Sequence, residues 1–380
     1  MAGPSTRHAV GLDIGTTGVR AVEVRRRRGH GELEVMRAAA VELPRGTIRN
    51  GIVLEPRALT KALRTLWRRG HFSTRRMAFA LPDSGILTRQ LDVPWMPPED
   101  FRLALRYQVQ DALPVDLATV ELDYHLLDGL QRTDNAGHVI DENRILVVAA
   151  NRDATLTEAN AIRKANLEPV QADSSAFALI RAACRGALPT SQEAHVLVDI
   201  GADSTTVVVH GGGQPRFIRT IANLGGDTAT AAVAAGLDLD LDAAEARKRA
   251  TGLKGPTPVV ATVSESSVFS AMAGTAPALD PASRAAIDAL NPWATTVVAE
   301  IRNSIDYFRG LDPDTTISDI TLSGRSAQLP GLVERVATQL PYAVHAVDAF
   351  SGVAVAARLQ RRLAQDADYS VALGLALAVA

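Results

Sequence analysis

The 380-residue sequence contains a single cysteine, Cys184. One thiol excludes an internal disulfide and any metal site built from several cysteines, and it is typical of a protein from a reducing compartment. Long apolar runs are missing too: the longest, such as 371–380, fall well short of the ~20 residues that span a bilayer. Residues 1–8 lack the apolar core of a signal peptide. The sequence therefore predicts a cytoplasmic protein that contacts a membrane only through a partner.

An excess of charge of either sign is also missing, because 40 Lys and Arg residues face 42 Asp and Glu residues for a net charge of -2. Such a chain has no general attraction to nucleic acid or anionic lipid, so nucleic acid is not an expected partner. The eight histidines are scattered without metal-ligand spacing, which predicts no transition-metal site. The chain is long enough for two or three domains, and its 47% apolar residues are enough to give each domain a core of its own.

Two segments of the chain resemble each other: AVGLDIGTTGVRAVEV at 9–24 and HVLVDIGADSTTVVVH at 195–210. In each, an apolar run ends in Asp-Ile-Gly, small and hydroxyl residues follow, and a β-branched run completes the segment. This pattern predicts a strand, a tight turn and a second strand. The repeat indicates a duplicated domain.

The paired Asp-x-Gly turns indicate which ligand the chain could bind. Turns of Gly and Thr allow successive backbone N–H groups to converge on an anion such as a phosphate. Asp13 and Asp199 would face each other across a cleft, where two carboxylates suit a hydrated Mg²⁺ that bridges phosphates. Arg20 is placed to neutralise a phosphate oxygen. One Asp-x-Gly copy alone is usually only a turn; two in equivalent positions favour a nucleotide site.

The stretch 82–165 reads as an inserted αβ subdomain. It is predicted to contain three strands, at 86–93, 120–127 and 144–150, with a polar connection at 131–143. A helix lies between the first two strands, and its apolar stripe is Phe101, Leu105, Val109 and Ala112. A second helix at 154–165 closes the subdomain. Other predicted elements are helices at 56–69, 228–235, 292–308 and 332–339 and strands at 77–81 and 317–322. The Pro-, Ala-, Ser- and Thr-rich stretch 255–283 is predicted to be irregular or mobile.

These motifs also carry a family resemblance. The two hairpins, with Ser323-Gly324 before a helix, resemble the phosphate and adenosine motifs of the actin-like ATPase superfamily, which includes actin, DnaK-type chaperones, sugar kinases and FtsA. Four segments in the insert and at its start resemble the PilM family of cytoplasmic type IV pilus assembly proteins: FALP (79–82), LTRQLDVP (87–94), ALP (112–114) and VELDY (120–124). The resemblance runs from 10 to 378 and leaves out 255–283.

The resemblance implies an α/β fold: a duplicated actin-like ATPase fold, with two ribonuclease-H-like domains around a nucleotide cleft and a small inserted αβ subdomain. Domain I would span 8–190, with the insert at about 82–165, domain II would span 191–359, and 360–380 would return to domain I. The implied partner is the N-terminal cytosolic tail of the inner-membrane protein PilN, bound beside the insert. Other components of the pilus assembly platform are also implied, and self-association stays open.

The walls of the tail groove are expected in 82–94 and 98–114, although the apolar stripe of the second segment is also typical of core packing. The chain would then be cytoplasmic and peripheral to the inner membrane. Two other functions use the same fold: an FtsA-like filament-forming protein of cell division, and a small-molecule kinase. FtsA normally carries a C-terminal membrane helix and a kinase needs a catalytic Asp and a sugar pocket, so both are placed second.

The implied cofactor is ATP or ADP with Mg²⁺, the ion being held through water by Asp13 and Asp199. The residues matched to the first phosphate motif are Asp13, Gly15, Thr16, Thr17 and Arg20, and those matched to the second are Asp199, Gly201, Asp203 and Ser204. The glycine pair Gly225-Gly226 would approach the nucleotide from a helix N-terminus. Glu245, Lys248 and Arg249 match residues that hold ribose and adenine, while a solvated basic helix face explains them equally well.

Two departures from the superfamily pattern bear on mechanism. Gly324 is followed by Arg325 where glycines usually lie under the adenine, so Arg325 either stacks on the base or obstructs it. Ser174 and Ser175 stand where a Glu or Gln often positions water, and Asp173 replaces it only if the register is off by one residue. Serine orients water poorly and is not a base at neutral pH. The sequence thus predicts slow hydrolysis or none, with the nucleotide as a structural or conformational ligand.

Overall fold

The computed structural model describes residues 8–26, 33–82, 85–133, 137–184, 193–254, 279–360 and 368–380. The strands are β1 (His8–Gly15), β2 (Gly18–Arg26), β3 (Leu33–Glu42), β4 (Ile48–Arg49), β5 (Ile52–Val53), β6 (Arg76–Ala80), β7 (Ile86–Pro94), β8 (Val120–Thr133), β9 (Val139–Asn151), β10 (Glu168–Asp173), β11 (Glu193–Ile200), β12 (Ser204–Gly211), β13 (Gln214–Ala222), β14 (Thr316–Ser323), β15 (Ala343–Ala346) and β16 (Ala354–Val355). The helices are α1 (Pro56–Gly70), α2 (Pro98–Val109), α3 (Arg152–Lys164), α4 (Ser175–Cys184), α5 (Gly226–Leu237), α6 (Leu241–Thr251), α7 (Pro281–Leu311), α8 (Leu332–Gln339), α9 (Ala357–Gln360) and α10 (Ser370–Ala378).

The first large sheet has the strand order β10-β6-β1-β2-β3-β16. Its central hairpin is the first Asp-x-Gly segment, in which Asp13 pairs with Arg20 and Gly15 with Gly18. Val10 and Leu12 pack on one face with α1 and α3, while Ala9 and Val22 pack on the other with α10. Apolar residues therefore point to both sides of the hairpin, because helices cover both faces of the sheet.

The second large sheet repeats this plan with the order β13-β12-β11-β14-β15. The second Asp-x-Gly segment forms its central hairpin, β11 and β12, in which Asp199 pairs with Thr206. The largest core cluster joins this sheet to helices α5, α7 and α8. The predicted repeat is thus present as two hairpins in equivalent places.

Helix α7 is longer than predicted, since it begins at Pro281 rather than at Pro292. Asp280 caps it by accepting a hydrogen bond from the Ser283 amide at 3.0 Å. Pro292 lies inside the helix, where it costs one backbone hydrogen bond. Burial of Leu290 and the neighbouring apolar residues in the second core offsets that loss. Of the stretch predicted to be irregular, 281–283 is helical, and 255–278 lies outside the described residues.

The inserted subdomain is an antiparallel sheet of order β7-β9-β8 covered by α2. The polar stretch 131–143 was predicted as a connection, and this was wrong for most of it: β8 continues to Thr133 and β9 begins at Val139. Pairs such as Gln131 with Asp141, whose side chains are hydrogen-bonded at 3.0 Å, keep the polar residues in register. Residues 134–136 lie outside the described part of the chain.

The end of the chain returns to the first sheet. β16 pairs with β3 in parallel, so the return begins at Ala354, ahead of the predicted residue 360. Helix α10 then packs on α4 and β1, so closely that a Cβ at Gly11 would lie 2.0 Å from the Ala372 carbonyl oxygen. A side chain at Gly11 would therefore separate α10 from β1. Over the described ranges, no helix is both long and apolar enough to cross a membrane.

Candidate functional site

The turns of the two central hairpins lie on either side of a cavity of about 120 Å³, which we call the phosphate cavity. Every residue predicted for the two turns lines it: Asp13, Gly15, Thr16, Thr17, Arg20, Asp199, Gly201, Asp203 and Ser204. Gly324 and Arg325, which follow β14, line it as well. Residues that are far apart in the sequence thus meet because each hairpin presents its turn at the same edge of its sheet.

Asp13 and Arg20 form an ion pair within the first hairpin, with Arg20 Nη1 donating to Asp13 Oδ2 at 3.0 Å. Burial raises the pKa of Asp13, the charge and hydrogen bond of Arg20 oppose this shift, and the nearby Asp368 adds to it. Arg20 therefore neutralises a buried carboxylate at the mouth of the cavity. A cation or another positive group near Asp13 would stabilise its charged form further.

Asp368 is a residue of this cavity that the sequence analysis missed. Its carboxylate accepts hydrogen bonds from Ser323 Oγ at 2.8 Å, from the Ser370 amide at 2.8 Å and from the Gly324 amide. It thereby joins the segment before α10 to the end of β14 in the second sheet. No spacing in the sequence links it to the two turns; the only local signal is an Asp two residues before Ser370.

The carboxylates do not form a direct metal site. Among the residues that the structure describes, no group of three or more His, Cys, Asp or Glu side chains is arranged to hold a metal ion. Asp13 and Asp199 both line the cavity with Asp368. This donor set fits Mg²⁺ held through its own waters, which this ion commonly retains.

Gly324 lets the end of β14 lie close to the second turn motif, whose strand β11 is its neighbour in the same sheet. Its φ is +89° and its ψ 157°, a backbone region used almost only by glycine. A Cβ here would lie 2.5 Å from the Ile200 carbonyl oxygen and 2.7 Å from Asp199 Oδ1. The absence of a side chain at Gly324 therefore leaves Asp199 in place beside the cavity.

A second cavity of about 470 Å³ adjoins the phosphate cavity, and Thr17, Ala202 and Arg325 line both. We call it the nucleoside cavity. Its lining includes the predicted residues Gly226, Glu245, Lys248 and Arg249, acidic side chains, and apolar side chains such as Leu43, Trp293 and Leu329. Apolar walls with a few convergent polar groups are typical of a small-molecule site.

Trp293 is a second residue that sequence reasoning missed. It is 5% exposed and lines the nucleoside cavity. Its buried Nε1 has no hydrogen-bond partner within the described part of the chain. A buried indole N–H usually has a partner, so an acceptor on a ligand fits this position.

Glu245 and Lys248 form a buried network on α6. Lys248 Nζ lies 2.6 Å from a Glu245 oxygen and donates to Thr230 Oγ1 at 2.8 Å, and Arg249 Nε donates to Glu245 at 2.6 Å. Burial alone would raise the pKa of Glu245, but Lys248 and the hydrogen bonds outweigh it and lower the pKa to about 2. Lys248 is 6% exposed, so the alternative of a solvated basic face does not describe it, although Arg249 is more exposed.

The glycine pair before α5 holds the second turn rather than opening towards solvent. The amide of Gly226 donates to the Gly201 carbonyl at 2.9 Å, and that of Asp227 to the Ala202 carbonyl at 2.8 Å. A Cβ at Gly225 would lie 2.2 Å from the Ala202 oxygen. Gly226 lines the nucleoside cavity and Gly225 lines neither cavity. Two amide donors of the helix N-terminus are therefore already used within the protein.

The residues considered for hydrolysis differ in whether they line the phosphate cavity. Ser175 lines the phosphate cavity, whereas Asp173 lines neither cavity and is paired with Arg181. Burial raises the pKa of Asp173, and Arg181 partly opposes this. Glu158 of α3, which the sequence analysis did not consider, is 1% exposed and does line the phosphate cavity.

The cleft is bridged by contacts between its two sides. Arg45 Nε donates to Asp242 at 2.8 Å, and Arg325 Nη2 to Glu42 at 3.3 Å. Asp242 and Glu42 are 88% and 84% exposed at their side chains. Exposed pairs of this kind typically contribute about 0.2–1 kcal/mol each. These two pairs therefore contribute little to closure, and the hydrogen bonds of Asp368 to Ser323 and Gly324 join the two sides as well.

The insert presents an apolar surface on the outside and a contact on the inside. Phe101, Leu105 and Val109 are buried against its sheet, so the apolar stripe of α2 is core packing. Three large residues of the same segment are exposed instead: Trp95 (58%), Leu103 (87%) and Tyr107 (73%). We call these three the α2 patch.

On its inner side, the insert touches the second sheet. Thr88 Oγ1 donates to the Ile218 carbonyl at 3.3 Å, and His125 is hydrogen-bonded to Gln214. A third cavity, of about 220 Å³, lies at this junction and is lined by Ser174 and Ala176 among others. Because Ser175 lines the phosphate cavity, the first turn of α4 separates the two cavities.

Comparisons with known proteins agree with this architecture. The family model described as type IV pilus assembly protein PilM matches residues 11–257 and 281–379. The chain belongs to the PilM family. A search of curated proteins finds no match.

Among solved structures, that of a PilM-PilN type IV pilus biogenesis complex is 25% identical to the chain, with a TM-score of 0.78 and 99% of both chains covered. The ethanolamine utilization protein EutJ from Carboxydothermus hydrogenoformans is 15% identical, with a TM-score of 0.54 and coverage of 98% and 90%. Both have the actin-like ATPase fold, and the predicted fold class is confirmed.

Proposed function

We propose that the chain is an ATP-binding adaptor of the type IV pilus inner-membrane assembly platform, and that it binds the N-terminal cytosolic tail of PilN. The observation that carries the partner is family membership over most of the chain, together with the likeness to a solved PilM-PilN complex. The chain would then be cytoplasmic and peripheral to the inner membrane through its partner. The same family match places the cell-division filament and small-molecule kinase alternatives second.

The two joined cavities support nucleotide as the ligand. The phosphate cavity combines two glycine-containing turns with Arg20, and the nucleoside cavity offers apolar walls and carboxylates that accept hydrogen bonds from ribose hydroxyls. Asp13 and Asp199 would hold Mg²⁺ through water, and this ion would neutralise phosphate charge when bound. The chain's own groups bind and orient the ligand. We further propose that hydrolysis is slow or absent, since Ser175 cannot act as a base at neutral pH.

Nucleotide binding can contribute more to closure of the cleft than the two exposed ion pairs do. A ligand present at a hundred times its dissociation constant stabilises the state that binds it by about 2.7 kcal/mol. This exceeds the combined contribution expected of the Arg45–Asp242 and Arg325–Glu42 pairs. Since β7, which belongs to one predicted wall of the tail groove, touches the second sheet at Thr88, closing or opening the cleft would change the shape of that groove.

A calorimetric titration with a synthetic PilN tail, with and without Mg-ATP, tests the adaptor proposal. We expect binding to the parent chain and at least tenfold weaker binding to the Leu103→Ala Tyr107→Ala variant of the α2 patch. Leu311→Ala is the matched control, because Leu311 is an exposed leucine on α7 of the second half. If the tail does not bind in either nucleotide state, the adaptor proposal is wrong. If the patch variant binds the tail as tightly as the parent does, the groove does not lie at α2.

Phosphate release from Mg-ATP tests the hydrolysis proposal separately. We expect turnover far below one per second. Faster turnover would contradict it, and Glu158→Gln would then show whether the buried carboxylate of the phosphate cavity accepts the proton of the attacking water. Asp173→Asn is the comparison, since Asp173 lies outside both cavities.

A further inference from the structure

Arg325 occupies the passage between the two cavities. It lines both of them, a position shared only with Thr17 and Ala202 among the lining residues. A ligand with one end in each cavity must therefore pass its guanidinium group. In a nucleotide whose nucleoside lies in one cavity and whose terminal phosphate lies in the other, the phosphate chain would lie in this passage.

The donors of Arg325 are only partly used. Nη2 donates to Glu42 Oε1 across the cleft at 3.3 Å. The buried Nε has no hydrogen-bond partner in the portion of the chain that the structure describes. A buried donor without an acceptor is costly, and its geometry calls for an acceptor in the plane of the guanidinium group. A phosphate oxygen meets this requirement, whereas a base stacked on the guanidinium face would leave Nε unsatisfied.

The charges around Arg325 favour an anion. Burial lowers the pKa of Arg325, and the positive charges of Arg249 and Arg20 lower it further, against the opposing effect of Glu42. Glu42 is largely exposed, so its charge is well screened. A phosphate chain placed between these three arginines would relieve their mutual repulsion, which a neutral adenine ring would not do.

We propose that Arg325 binds the phosphate chain of a nucleoside di- or triphosphate through Nε, and that Glu42 holds the guanidinium group in position from the other side of the cleft. This rests on the proposed nucleotide function and assigns a specific role within it. Arg325 then neither stacks on the base nor obstructs it. It makes the site selective for ligands that carry phosphate.

The test compares ligands with and without the phosphate chain. Binding of Mg-ATP and Mg-ADP to the full chain is measured by calorimetry, and adenosine is titrated to millimolar concentration as a competitor of a fluorescent ATP analogue. We expect Arg325→Gln to weaken ATP and ADP about 10- to 100-fold, as for loss of a charge-assisted hydrogen bond, and to leave adenosine within twofold or still undetected. Arg325→Lys keeps the charge without Nε and should recover only part of the affinity.

Two further variants serve as controls for Arg325→Gln. Arg309→Gln removes the same charge from an exposed position on α7, 16 residues and thus ~24 Å along the helix from Trp293, and should bind like the parent. Glu42→Gln should weaken ATP by a few-fold, because it loosens Arg325 without removing it. Thermal unfolding of each variant shows that it is folded.

Three outcomes would overturn the assignment. ATP binding to Arg325→Gln that equals or exceeds that of the parent shows that Arg325 obstructs the site or does not touch the ligand. Equal weakening of ATP and adenosine shows that Arg325 contacts the base. If the parent itself binds no nucleotide, the proposed function fails and this assignment fails with it, a result distinct from normal parent binding with no effect of Arg325→Gln.

Discussion

Replacing Gly324 by alanine tests whether the close approach of β14 to the second turn motif forms the site. At φ +89° and ψ 157°, an alanine pays backbone strain of about 1–3 kcal/mol. Its Cβ would also lie 2.5 Å from the Ile200 oxygen and 2.7 Å from Asp199 Oδ1, against an ordinary contact of 3.4–4 Å. Relieving this overlap requires rearrangement of the kind that overpacking imposes, typically about 1–3 kcal/mol more. The Asp199 carboxylate is one of the groups that must move.

Gly137, between β8 and β9, provides a matched control. Its φ is +87° and a Cβ added there has no heavy atom of the described residues within 4 Å, so Gly137→Ala introduces backbone strain without overlap among them. The difference between the two variants in free energy of unfolding, measured by urea denaturation followed by circular dichroism, should therefore be about 1–3 kcal/mol. Mg-ATP affinity, measured by calorimetry, should fall in Gly324→Ala and stay at the parent value in Gly137→Ala.

Equal losses of stability in the two variants, with ATP affinity unchanged in both, would refute the reasoning. That result would mean that Asp199 and Ile200 move aside without consequence. It would also mean that the position of the Asp199 carboxylate does not matter for the ligand.

Two further predictions concern the nucleoside cavity. The pKa of Glu245 is lowered from 4.5 to about 2, so the stability that its ionised form contributes is present above pH 4.5 and is lost as the pH falls towards 2. Burial lowers the pKa of its partner Lys248, which offsets part of this gain. The difference in free energy of unfolding between the parent and Glu245→Gln should shrink over that pH range in denaturation experiments, and a constant difference would contradict the buried ion pair. Trp293→Phe keeps an aromatic ring but removes the buried Nε1 donor, so Mg-ATP should bind about tenfold more weakly by calorimetry, whereas unchanged affinity would show that the ligand does not accept this hydrogen bond.

The parts of the site that the sequence predicted are those with local signals. Each Asp-x-Gly turn lies between two short strands, so the residues from Asp13 to Arg20 and from Asp199 to Ser204 are positioned by neighbours in the chain. The repeat then indicates that the two turns belong to similar sheets. Within the insert, the apolar stripe of α2 predicted its buried face for the same reason.

The residues that were missed depend on contacts between distant segments. Asp368 reaches Gly324 only because the segment before α10 passes the end of β14, and Trp293 lines the nucleoside cavity because α7 packs on the second sheet. Glu158 was predicted only as part of the closing helix at 154–165. Helical or strand periodicity tells which face is buried, but it does not tell which other segment lies against that face.

The packing of α10 on β1 has a consequence for how the protein is made. β1 is synthesised hundreds of residues before α10, but Gly11 is covered by Ala372, and the phosphate cavity receives Asp368 only when that segment has been synthesised. The first sheet therefore cannot be completed before β16 and α10 have been synthesised, since its contacts join segments hundreds of residues apart. A nascent or truncated chain that lacks α10 has both hairpins but no finished site. Nucleotide binding would thus mark chains whose synthesis has passed this helix, and only those would offer a closed cleft to a partner.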